Sequence, residues 1–211
     1  MHQLGARTLP VVAKGKQFIV AKNLKAVAEF VGVQGPGYIL LAPEILYKKW
    51  GSILRAGQRY VRQFPPGQLN MSATPGRNRP IRLLCHHVFR IGDAYLESVL
   101  RGVKDMDSLI RQKPADDEFT SREEIARYGG QVVDHLDQWW SGLADKSCQQ
   151  KIEITHYGVL SINQLLERAT WHSAHHVRQL VDVLERLGIA PDGGFNRKDL
   201  DGLPLPKQIW D

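Results

Sequence analysis

From Pro43 onward, apolar residues recur at spacings of three and four along most of the chain. In the first such stretch Leu46, Trp50, Ile53, Leu54, Gly57, Tyr60, Val61 and Phe64 share one side of a helix, charged residues fall between them, and the pattern stops at Pro65 and Pro66. A second stretch, Pro80 to about Val103, carries Ile81, Leu84, Val88, Ile91, Tyr95 and Val99. A third, Ser121 to Leu143, opens with a capping box, Ser121 followed by Glu124, and carries Ile125, Tyr128, Val132, Leu136, Trp139 and Leu143. The fourth, Ser161 to Gly188, carries Leu165, Ala169, Leu180, Val183, Leu184 and Leu187 and stops at a glycine. Four helices with one apolar stripe each pack most simply as a four-helix bundle. The Pro, Gly, Asn and Ser between Phe64 and Pro80 read as a long crossover rather than a lid.

The first 31 residues follow another pattern. Thr8 to Val12 and Gln17 to Val20 are short β-prone runs around Lys14-Gly15-Lys16, and Asn23 caps a helical stretch to Val31. The fold class is therefore mainly α: a four-helix bundle with a small N-terminal ββα extension. The expected divisions are residues 1–36 for the extension, 37–191 for the bundle and 192–211 for a tail. Phe195, Leu203, Leu205, Ile209 and Trp210 make that tail too apolar for solvent, so it should pack on the bundle.

Composition narrows the partners. No apolar run of about 18 residues occurs and the N-terminus lacks a signal-peptide core, so a soluble, cytoplasmic protein without membrane association is expected. The net charge of +6 is scattered, with no basic stripe interleaved with aromatics, and a nucleic-acid partner is not expected. Cys85 and Cys148 fit neither a disulfide scaffold nor a thiolate metal site; Cys85 borders the second stripe and reads as packing. Trp140 is left over from the third stripe, and a homodimer is one assembly such a face would allow.

Any metal would therefore be held by nitrogen and oxygen, and the stretch WHSAHHVRQL, Trp171 to Leu180, supplies imidazoles. At ~100° per residue His172 and His176 fall on the inward line of the fourth helix, and His175 should face solvent. In LLCHHVF on the second helix, His87 flanks the stripe and His86 lies almost opposite. Histidines four apart on a helix can reach one ion, and His87 on a facing helix would add a third ligand, leaving a position open as in catalytic sites. Core histidines that merely satisfy one another remain the simpler alternative. For a fourth ligand, Asp93 should point to solvent, and His156, before the fourth helix, reads as a surface residue. His2 and His135 belong to no constellation.

The inward histidine of LLCHHVF, the Tyr157-Gly158 turn in THYGVLSINQLLE and the pattern HxxxHxxQL together resemble the DinB/YfiT superfamily over roughly Pro43 to Gly188. That resemblance implies a four-helix bundle with a triad, His87, His172 and His176, binding a divalent metal, commonly zinc or nickel. It also implies, for many members, thiol-dependent transfer or isomerisation with a low-molecular-weight thiol cosubstrate. Gln179, one turn past His176, would orient a ligand, and Tyr157 would either meet the small-molecule substrate or cover the core. A metal-dependent hydrolase and a noncatalytic metal- or small-ligand-binding protein are the alternatives. The N-terminal run LGARTLPVVAKGKQFIVAKNLKAVAEFVG is similar to the C-terminal half of glutaredoxin-like folds, but no Cys-X-X-Cys precedes it, so dithiol exchange is excluded for that unit.

Overall fold

The computed structural model describes residues 11–15, 17–20, 24–32, 39–74, 77–194 and 197–210. The N-terminal segment forms an antiparallel hairpin, β1 (Val11–Lys14) with β2 (Gln17–Val20), followed by α1 (Leu24–Val31). Thr8 to Pro10, the Asn23 cap and Phe195 lie outside the described residues. Nothing in the fold supports the glutaredoxin likeness beyond this ββα order.

The four stripes become α2 (Pro43–Gln63), α3 (Ile81–Arg101), α5 (Arg122–Gly142) and α6 (Ile162–Arg186). Leu46, Trp50, Leu84, Val88, Ile125, Val132, Leu165 and Leu180 are among the core residues these stripes bury. Each boundary has a local cause. Ser121 and Glu124 form the expected capping box on α5, and Ser161 and Gln164 form a second on α6. α6 ends where Gly188 takes φ 75° and the N–H groups of Gly188 and Ile189 donate to the carbonyls of Glu185 and Leu184, which closes the last turn.

Both α2 and α3 pack on both α5 and α6, so helices consecutive in the pattern, α2 and α3, lie across a diagonal. A diagonal needs a longer connection than a neighbour does, and the chain uses residues 64–80 for it. This crossover is more ordered than its composition suggests. It holds a 3-10 turn and a hairpin of β3 (Ser72–Thr74) and β4 (Arg77–Pro80), and it is tied to the start of α3 by Ile81 N–H donating to the Met71 carbonyl. The second diagonal, α5 to α6, is spanned by residues 143–161, which include the hairpin β5 (Lys151–Ile154) and β6 (Gly158–Ser161). Between α3 and α5 lies a short helix, α4 (Met106–Arg111), capped by Asp105.

A buried polar link crosses the bundle. Trp50 Nε1 on α2 donates to Ser173 Oγ on α6 at 3.0 Å, and Ser173 Oγ donates to the Val88 carbonyl on α3 at 3.3 Å. The tail, with its short helix α7 (Arg197–Leu200), returns along α6. Arg178 donates to the carbonyls of Pro206 and Lys207, and Trp210 Nε1 donates to Asp182. Trp140 is not left over: it stacks on Tyr47 at 4.7 Å and is buried within the chain. No helix among the described residues is long and apolar enough to cross a membrane.

α3 and α5 approach so closely at Gly129 that an added Cβ would stand 2.6 Å from the ring of Phe89, a fully buried side chain. Gly129→Ala should therefore destabilise the fold by about 1–3 kcal/mol, outweighing the ~1 kcal/mol that alanine adds to helix propensity. A lower urea midpoint bears this out; an unchanged or raised midpoint contradicts it.

Candidate metal centre

α3 and α6 are neighbours in the bundle, and their facing positions bring His87, His172 and His176 together. The rings of His87 and His176 are 4.6 Å apart between centroids, His172 and His176 4.9 Å, and His87 and His172 5.6 Å. One nitrogen from each ring lies within 4.8 Å of the others. Small ring rotations bring such a set to the ~2.0–2.1 Å of a metal–imidazole bond. Among the described residues no other His, Cys, Asp or Glu joins this cluster.

The chemistry of the donors fits a divalent cation. Burial lowers the pKa of all three. His87 falls to about 3, through burial first and then the charge of Arg79. His172 and His176 are held well below the usual histidine range, again by burial, then by neighbouring imidazoles. All three are thus neutral at pH 7, the form that offers a lone pair. One of them also has its second nitrogen engaged. His176 Nδ1 lies 2.7 Å from Gln179 Oε1. Because Gln179 Nε2 donates to the Ile209 carbonyl in the tail at 2.8 Å, its Oε1 must be the acceptor, so His176 carries its proton on Nδ1 and leaves Nε2 bare. Gln179 is thus hydrogen-bonded to His176 through an amide that the C-terminal tail holds in place.

Three other placements depart from the helical-face reading. His175 is not at the surface: it is 7% exposed, and its Nε2 sits 3.3 Å from Gln179 Nε2, on the side of α6 that the tail covers. His86, opposite the stripe, is also buried, with its ring stacked on Tyr128 at 5.2 Å and beside Phe119 at 4.7 Å. Asp93 accepts the Tyr128 hydroxyl and faces Arg90 rather than open solvent. The face test assumes that the outside of a bundle meets water, whereas here the 102–121 connection and the tail cover it. His156 is exposed on the β5–β6 turn, as expected. Tyr157 is buried, with its hydroxyl bonded to Asp107 and Arg168 and the Arg168 guanidinium 4.0 Å above its ring, so it braces the start of α6.

The His87 edge of the cluster opens on a cleft of about 380 Å³ between α3 and the α4 segment. Cys85 is fully buried, its thiol pKa raised by that burial, and it takes no part in the cleft.

Replacing Gln179 by Leu should weaken zinc binding about 10- to 100-fold, the usual cost of losing a ligand's outer hydrogen bond. Competition against a chromophoric chelator measures this, and unchanged affinity would remove Gln179 from the centre. A second expectation concerns pH. The depressed pKa values of His86, His87, His172 and His176 mean that the unfolded chain binds more protons, so stability is full above about pH 6.5 and falls as pH drops toward the folded values. Glu167, raised to about 7 by burial, acts in the opposite sense over part of this range. Chelator-treated protein should lose thermal stability from pH 6.5 to 5, and the His172→Leu, His176→Leu double variant should lose less, since Glu167 is common to both. Equal slopes would contradict the desolvated triad.

The sequence pattern of the DinB superfamily matches residues 55–180, which span all three histidines and more than half of the chain. Among solved structures the chain is similar to YfiT from Bacillus subtilis, described as a probable metal-dependent hydrolase with an unusual four-helix bundle topology. The identity is 16% and the TM-score 0.48, over 68% of this chain and 89% of that one. No curated protein matches. On the family match, the chain belongs to the DinB superfamily.

Proposed function

We propose that this protein is a divalent-metal-dependent enzyme of the thiol S-transfer or isomerisation type, with zinc or nickel held by His87, His172 and His176. The observation that carries the reading is three neutral imidazoles converging from two helices with no further protein ligand in the cluster among the described residues. A protein built only to sequester metal would be expected to close the coordination sphere, and His156, the nearest candidate in sequence, is exposed on a turn. A cation bound there supplies Lewis acidity, ionising a thiol near neutral pH without help from a base.

The lining of the cleft favours thiol chemistry over hydrolysis. Among the described residues its lining includes His87 and His86 but no carboxylate, the Asp or Glu general base that activates water in many metallohydrolases. In the proposed reaction a thiol R–SH displaces a leaving group X from R′–X, giving R–S–R′ and HX. His176 holds its ligand nitrogen toward the shared centre through Gln179, and the α4 segment shapes the mouth through which substrate enters.

The test uses zinc- or nickel-loaded protein with L-cysteine and 1-chloro-2,4-dinitrobenzene, and in parallel p-nitrophenyl acetate without thiol. Thioether formation that needs both metal and thiol and is lost in His172→Ala supports the proposal. Metal-dependent ester cleavage without thiol replaces it with hydrolysis. No turnover with any of several small thiols and electrophiles contradicts the enzymatic reading.

A further inference from the structure

Among the described residues, the cleft beside His87 is lined by three cations, Arg79, Arg111 and Lys113, and by no carboxylate. Among the described residues none of the three forms an ion pair, although Arg82, Arg90 and Arg168 nearby in sequence or space all do. Arg79 is partly buried, and desolvation lowers its pKa. It shares the wall of the cleft with His87, which places it beside the centre. A desolvated, unpaired guanidinium is costly, and it is doubly unfavourable next to a site meant for a divalent cation. A ligand that brings negative charge would offset both costs.

The neutral groups of the cleft point the same way. Gln112 Oε1 accepts from Arg90 Nη2 at 2.8 Å, so what Gln112 can present to the cleft is its NH₂ group. Asn78 adds a further amide to the wall. A cavity of about 380 Å³ suits a small molecule, and a guanidinium fork matches a carboxylate or phosphate with two parallel hydrogen bonds.

We infer that Arg79, assisted by Arg111 and Lys113, is an anion-binding subsite, and that the substrate or thiol cosubstrate entering this cleft carries a carboxylate or phosphate group. The inference rests on the proposed metal reading only in treating the ligand's other end as the reacting one. The anionic group is anchored at Arg79 while the rest of the molecule extends toward the imidazole cluster.

Calorimetric titration with succinate, and separately with inorganic phosphate, tests this on zinc-loaded and on chelator-treated protein. Saturable binding is expected in both forms, and the preferred anion tells carboxylate from phosphate. Arg79→Gln should weaken it at least ~10-fold, the loss of a charge-assisted pair. In anion-free buffer the same variant should bind zinc at least as tightly as wild type, because a repelling charge is gone. A purely structural arginine would not give opposite signs for anion and metal. Should Arg79→Gln fail to fold, the Arg111→Gln, Lys113→Gln double variant, at exposed positions, should still weaken the anion several-fold. Absence of saturable binding, or variants that bind like wild type, overturns the inference even where zinc uptake is normal. Arg79-dependent anion binding in a protein that takes up no metal upholds the subsite and sinks the metal reading instead.

Discussion

Three imidazoles packed together in a largely desolvated place, one buried and two half-buried, can be close neighbours only while all of them are neutral. At the ~5 Å separations of the ring centres, two charged imidazoles would repel by about 3 kcal/mol at an effective dielectric of 20, before the cost of desolvating either. The cluster of His87, His172 and His176 therefore stores unused lone pairs in a place where protons are unwelcome. Much of the surrounding structure is arranged to keep those lone pairs aimed at one another. Gln179, itself held by the tail carbonyl of Ile209, engages the His176 ring.

The bundle topology makes this convergence possible. Because α2 and α3 lie on a diagonal, α3 and α6 are direct neighbours and their histidine-bearing faces meet. The Trp50–Ser173–Val88 link fixes α6 against both partners one residue from His172, so the rotational setting of the helix is tied to the setting of the ligands. The two crossovers that the diagonals require are not slack. Each folds a hairpin, and the first leads through Arg79 directly into α3, which places a cation at the mouth of the cleft.

What the sequence made legible was whatever repeats with the period of a helix. The four stripes, the Ser121–Glu124 cap and the inward setting of His87, His172 and His176 all follow from that periodicity, because one face of each helix is buried continuously. The reading failed where burial comes from segments with no period of their own. His175, His86 and Asp93 sit on outer faces and are covered by the tail or by Phe119 and Tyr128, contacts between residues far apart in the chain. The hairpins were missed because strands of three or four residues give too few alternations, although Lys151 to Ile154 does alternate polar and apolar. Gln179 was found by its position one turn past His176. Arg79 was not found, since nothing local distinguishes an arginine in a Pro- and Asn-rich loop from a solvated one.

The central claim is that this neutral, three-imidazole cluster is a metal centre. It is tested most directly by elemental analysis of tag-free protein purified without chelator, together with the His87→Ala, His172→Ala and His176→Ala variants after confirmation that each is folded. The account predicts near-stoichiometric zinc, nickel or another divalent ion in the wild-type chain and its loss in all three variants. A wild-type protein that stays metal-free after incubation with zinc and nickel would contradict it, and would leave the histidines as packed polar residues of the bundle core.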